Sequence, residues 1–143
     1  MDIRTLTDAY AVSPQITPED VDAIKAAGFS TIICNRPDAE VPPAMQAAAI
    51  GAAAAAAGLA FVINPVIGGA LTMENVTAQA DAQAQSTGPV LAYCASGNRS
   101  SIVWALSQAG KASADDLINA GARWGYMLEG LRPQIEALAA QNA

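Results

Sequence analysis

The sequence predicts an α/β domain of three layers, with a mostly parallel central sheet between helices on both faces. Three observations carry this expectation. The chain has 143 residues, which fits one domain whose core needs neither disulfides nor a metal. Strand-like and helix-like runs alternate three times, and a helical C-terminal third follows. The strand-like runs inside the alternation are apolar, as strands covered on both faces are.

The elements follow in order. Ile3–Leu6 and Ala9–Val12 read as short strands around Thr7-Asp8, which suggests a hairpin. Thr17 is an N-cap, Pro18 suits the first helical turn, and Glu19 and Asp20 suit its positive end. Val21, Ile24 and Ala27 keep helical spacing until Gly28. Phe29–Cys34 reads as a buried strand, and Asn35–Pro43, with three prolines, as an irregular loop. A helix over about Ala44–Ala57 leads to a strand over Leu59–Asn64. A loop over Pro65–Ala70 precedes a third helix from Thr72 to about Ser86. Pro89–Tyr93 is a strand that runs into Cys94, and a helix from Ser100 ends near Gly110. Ser113 caps a helix that ends near Gly121, and the last helix runs from around Pro133 to Ala140. In a parallel sheet of this kind a ligand lies beyond the carboxyl ends of the strands. Those ends are Asn35-Arg36, Asn64-Pro65 and Cys94, which places three polar segments on one rim.

Composition narrows the function classes. Hydrophobic residues make up 52% and charged residues 14%, but much of the apolar share is alanine. No run of about 18 strongly apolar residues is present, so no membrane span is expected. Met1-Asp2-Ile3-Arg4 does not read as a signal peptide, and the expected location is the cytoplasm. A net charge of −6 with seven basic residues argues against nonspecific nucleic-acid binding. The chain has two cysteines and no histidine. Zinc is therefore not expected, no metal or other cofactor is called for, and Cys-His and Ser-His pairs are excluded.

The segment that carries chemistry is Val90–Ser101. A strand ends on Cys94, small residues Ala95, Ser96, Gly97 and Asn98 follow, and Arg99, Ser100 and Ser101 open a helix. A strand–loop–helix turn gathers backbone N–H groups into one concavity, and the helix N-terminus adds free donors and a positive dipole end. Gly97 permits a backbone twist that other residues resist. Arg99 supplies a fixed fork of donors for an oxyanion. The same field favours a thiolate at Cys94, which then needs no histidine base. The alternative is a small buried residue at a strand end, which leaves the following Gly, Arg and Ser without a reason. Cys34, inside Ile32–Asn35, reads instead as a core residue. It could resolve an oxidised Cys94 only if the strands are neighbours and the side chains face each other.

The run Tyr93–Ser101 resembles a bacterial family of small phosphatase-like domains regarded as sulfur transferases. Some members of that family are fused to metallo-β-lactamase-type domains resembling persulfide dioxygenases. Tyr10–Ile16, Ile33–Asp38, Ala122–Tyr126 and Leu131–Pro133 extend the likeness over nearly the whole chain. The resemblance implies a single domain over residues 1–143 with a fold like that of the dual-specificity phosphatases. Those enzymes place five residues between the nucleophilic Cys and the Arg. Here there are four, as in rhodanese-like sulfurtransferases. They also carry a general-acid Asp on the loop after the strand preceding the nucleophile strand, whereas Pro65–Thr72 holds no acid. Tyr93 stands where they commonly have His.

These departures make a sulfurtransferase the first expectation, with Cys94 carrying a persulfide taken from thiosulfate or another small anionic sulfur donor. A phosphatase acting on a phosphate ester through a phosphocysteine is the alternative. A noncatalytic anion-binding module is a third. A persulfide dioxygenase or sulfide-oxidation partner is a further expectation of the resemblance. Residues Ala95–Arg99 would bind the anion. Arg36 is either a second anion-binding cation or the partner of Asp38. Asp38 is a possible general acid or a residue that structures its loop. Ser100 could donate a hydrogen bond to the Cys94 sulfur. Trp104, Trp124 and Tyr126 read as packing residues, with Trp124 a candidate pocket roof.

Overall fold

Strands that are apolar along their whole length need cover on both faces, and four parallel strands need helical crossovers to join them. The computed structural model, which describes residues 1–142, meets both demands. The strands are β1 (Arg4–Thr7), β2 (Tyr10–Ser13), β3 (Thr31–Cys34), β4 (Ala60–Ile63) and β5 (Val90–Tyr93). Their order in the sheet is β1-β2-β5-β3-β4. β1 pairs antiparallel with β2 in the expected hairpin, and the other neighbours are parallel. β2, β3 and β5 are buried at every residue. The central strand, β5, delivers Cys94 to the rim.

Helices α1 (Val21–Ala26) and α2 (Ala47–Ala56) cover one face. There Val21, Ile24 and Ile50 pack with Ile32, Cys34, Leu91 and Tyr93. Helices α3 (Met73–Gln85), α4 (Asn98–Ser107), α5 (Ala114–Ala122) and α6 (Arg132–Gln141) lie on the other. Their Val76, Val103, Trp104, Leu117 and Ile135 pack with Tyr10, Val12, Ile33, Val90 and Ala92. Alternate residues of one strand therefore serve two separate cores. Among the described residues no helix is long and apolar enough to cross a membrane.

Two boundaries differ from expectation for local reasons. The second helix does not start at Ala44. Pro43–Met45 form a 3-10 turn, and Gln46 is extended (φ −72°, ψ 163°) before α2 begins at Ala47. Adjacent prolines at 42 and 43 hold the chain off the α-helical path. The fourth helix starts at Asn98 rather than Ser100, because Gly97 at φ 92° turns the chain directly into it. Arg99 therefore stands in the first turn of α4.

Candidate active site

The loop after β5 is shaped by what happens to its carbonyls. Ala95 O accepts from Gln15 N–H at 3.3 Å. Ser96 O accepts from the Tyr126 hydroxyl at 2.7 Å. Gly97 O accepts from the Ser101 hydroxyl at 2.8 Å and from its N–H at 3.0 Å. With these carbonyls tied to the surroundings, the Gly97 N–H turns inward and donates to Cys94 Sγ at 3.1 Å. Cys94 is 1% exposed, at the floor of the loop, while Ala95, Ser96 and Asn98 line an exposed rim.

Arg99 is fixed at its far end. Nη1 and Nη2 donate to both carboxylate oxygens of Glu40 at 2.9 and 2.7 Å, and Nη1 also donates to Val66 O at 2.8 Å. Arg36 Nε meets the same carboxylate at 3.2 Å, and its Nη1 donates to Gln15 Oε1 at 3.3 Å. The two arginines thus share Glu40. The hydrogen bonds from Arg99 hold the Glu40 carboxyl below its ordinary range, with Arg36 adding to the effect.

Several expected placements change. Arg36 pairs with Glu40, not Asp38. Asp38 Oδ1 accepts the Ala47 N–H at 2.9 Å, and its carbonyl accepts from Gln46 Nε2 at 3.2 Å. Its carboxylate thereby ties the loop to the start of α2. Ser100 is fully buried, and its hydroxyl donates to Asn35 Oδ1 at 2.9 Å rather than to Cys94. The sulfur receives the Gly97 N–H in its place. Trp104 is buried and stacks on Tyr10, with ring centroids 5.7 Å apart. Trp124 donates its indole N–H to Thr5 O at 2.8 Å. Tyr126 does more than pack: its hydroxyl, which also accepts from Arg4 Nη1 at 2.8 Å, braces the Cys94 loop.

Cys34 lies on β3 in register with Tyr93, the residue before Cys94. The strands are neighbours, but Cys34 and Tyr93 belong to the α1/α2 core. Cys94 follows Tyr93 and alternation turns it the other way. Both thiols are free. Burial pushes the Cys34 thiol up from its ordinary pKa. Tyr93 Oη, beside it, is buried and has no hydrogen-bond partner among the described residues. Glu40, Tyr126, Asn35 and Gln79 were not assigned their contacts from sequence. For Gln79 a signal existed: it sits on the stripe Val76–Gln79–Ala82, an amide on a buried helix face.

A family model described as the phosphatase-like domain of beta-lactamase hydrolase-like protein matches residues 2–111. A beta-lactamase hydrolase-like protein of Xylella fastidiosa (strain Temecula1) is 34% identical over 130 residues, 90% of this chain and 30% of that protein. The chain therefore spans less than a third of such relatives. A solved structure from Neisseria meningitidis, named a "putative phosphatase", superposes with a TM-score of 0.81 at 32% identity, covering 96% of this chain and 99% of that one. PTPMT1, solved in complex with PI(5)P, superposes with a TM-score of 0.73 at 14% identity and covers 99% of each chain. At that identity the likeness concerns the fold, and it agrees with the dual-specificity phosphatase-like architecture read from the sequence.

Proposed function

The chain belongs to the family of phosphatase-like domains found in beta-lactamase hydrolase-like proteins, and from that premise we propose that it is a cysteine-dependent phosphatase. The observation that carries the reading is the Gly97 N–H aimed at Cys94 Sγ at 3.1 Å, under the first turn of α4. A phosphoryl group placed over the sulfur would meet the N–H groups of Ala95–Arg99 and the near side of the Arg99 guanidinium. The Cys94 thiolate forms a bond to phosphorus while the bond to the leaving oxygen breaks, and that oxygen takes the electron pair. Water then attacks the phosphocysteine, releases phosphate and returns the thiolate.

Proton donation is the weak part of this machine. Glu40 is held ionised by Arg99, and Asp38 is engaged with Ala47, so we assign Asp38 to the loop rather than to the leaving group. Esters whose leaving group departs as a stable anion suit the site best. An aryl phosphate is the first test. Cys94→Ser should abolish turnover, and Asp38→Asn should leave it within a few-fold. A loss of about 10²-fold or more in Asp38→Asn would restore Asp38 as the acid. Turnover that survives Cys94→Ser would end the proposal.

Sulfur transfer, first in the sequence reading, becomes the second reading because the family is phosphatase-like and the similar Neisseria meningitidis structure is named a "putative phosphatase". Two observations keep it in view: four residues between Cys94 and Arg99, and no acid in Pro65–Thr72. The Cys94 thiolate would attack the outer sulfur of thiosulfate or a persulfide, breaking the donor S–S bond and expelling sulfite or a thiolate, and an acceptor thiolate would then take that sulfur and return the Cys94 thiolate. Mass spectrometry after incubation with thiosulfate decides, since only this reading adds the mass of one sulfur to Cys94.

A further inference from the structure

Asn35 follows the last residue of β3 and precedes Arg36, and it is fully buried. Its hydrogen-bonding groups face three parts of the site at once. The backbone N–H donates to Tyr93 O at 2.8 Å, one residue before Cys94. The backbone carbonyl accepts from Val66 N–H at 2.8 Å, and Val66 O in turn holds Arg99 Nη1 at 2.8 Å. The side-chain Oδ1 accepts from the Ser100 hydroxyl at 2.9 Å and from Gln79 Nε2 at 3.1 Å. Nδ2 donates to Asn64 O and to Gln79 Oε1, both at 2.9 Å. Both amide hydrogens and both lone pairs of Oδ1 are used, so the group has one orientation.

Gln79 closes the circuit from below. Its Nε2 also donates to the Tyr10 hydroxyl at 2.9 Å, and that hydroxyl donates to Ser100 O at 2.9 Å. Its Oε1 accepts from Asn64 Nδ2 at 2.8 Å. The first turn of α4 is thereby pinned through the Ser100 side chain and the Ser100 carbonyl. The strand that delivers Cys94 and the carbonyl that anchors Arg99 are pinned by the Asn35 backbone.

We propose that Asn35, held by Gln79, is a positioning residue that fixes the Cys94 thiolate and the Arg99 guanidinium relative to one another. The physical ground is that a fully satisfied buried network has a single low-energy arrangement, and losing one member leaves several buried polar groups unpaired. When the α4 turn is released, the Gly97 N–H loses its aim at the sulfur, and Arg99, in the same turn, is no longer held in place against Val66 O and Glu40. The inference rests on the Cys94–Arg99 reading of the site but not on which group is transferred.

The test uses the full chain and needs no turnover. Cys94 is alkylated with iodoacetamide at about pH 6 and about pH 9, with and without sulfate, in wild type, Asn35→Ala and Gln79→Met. Ser100→Ala, which removes one bond of the network, serves if Asn35→Ala does not fold. Ile50→Val, in the opposite core, is the control for a plain loss of stability. The variants should lower the ratio of the rate at about pH 6 to the rate at about pH 9 about tenfold and weaken sulfate protection about tenfold. Ile50→Val should change neither. Variants that melt earlier but keep the wild-type ratio and protection would show that Asn35 is a structural residue only, and the inference would fall. A wild type with no sulfate protection would overturn the anion-site reading and this inference with it.

Discussion

Gly97 has two constraints that act on one atom. Its φ of 92° is a conformation that costs an L side chain about 1–2 kcal/mol. An added Cβ would also stand 2.2 Å from the Tyr126 hydroxyl oxygen, inside the contact that braces Ser96 O. Gly97→Ala should therefore lower stability by at least about 1–2 kcal/mol and abolish the protection of Cys94 by anions. Adding Tyr126→Phe removes the oxygen but not the backbone strain, so the double variant should recover only part of the stability. Full recovery in a denaturant titration would mean that the clash, not φ, dominates. The glycine was legible as a turn residue from its place between Ser96 and Asn98. Its second constraint was not, because Tyr126 comes from a distant segment and nothing in its neighbours Gly125 and Met127 points to the loop.

The short 3-10 turn Asp38–Glu40 shows what an element contributes when it is too short to be read as one. Proline 37 sets its start, Asp38 ties it to α2, and Glu40 carries the load of both arginines. Because Arg99 lowers the Glu40 pKa from the ordinary 4.5, the pairing adds stability that is fully present above 4.5 and fades as pH falls through the lower folded value. Glu40 is more than a third exposed, so the effect is modest. Glu40→Gln should lower the melting temperature slightly at neutral pH and flatten its fall below about pH 4.5. A melting profile parallel to wild type across that range would show that the pair adds no pH-linked stability. The longer elements were legible because periodicity and start signals agree: Ser113, expected as a cap, accepts the Asp116 N–H at 3.1 Å at the head of α5, and Thr72, where the third helix was expected to open, accepts the Asn75 N–H at 3.1 Å. The Asn35–Pro43 loop was legible only as irregular. Its contacts run to Arg99, which lies far along the chain, and local pattern carries no such information.

At the scale of the molecule, the sheet order decides what the two cysteines can do together. Sequence reading placed Cys94 at a strand end on the rim and Cys34 inside another strand as a core residue, and the alternation of strand and helix implied the parallel sheet that holds both strands. It could not supply the insertion of β5 between β2 and β3, since strand order depends on which crossover covers which face. That insertion makes β3 and β5 neighbours, so the backbones are close enough for a disulfide. The register works against one: Cys34 is paired with Tyr93, and Cys94 is one residue further on, just past the end of β5, where continued strand alternation turns it to the opposite face. Oxidation should therefore leave the pair unlinked. Treated with a mild disulfide-forming oxidant such as diamide, the folded chain should show no Cys34–Cys94 peptide by mass spectrometry. Peroxide should convert Cys94 to its sulfenic or higher acid while Cys34, buried and disfavoured as a thiolate, stays reduced. The same Cys94 oxidation should appear in Cys34→Ala at the same rate, because Cys34 takes no part in resolving it. A linked peptide formed under native conditions, or faster loss of Cys94 to irreversible oxidation in Cys34→Ala, would mean that the two strands shift register or twist enough to bring the thiols to one face.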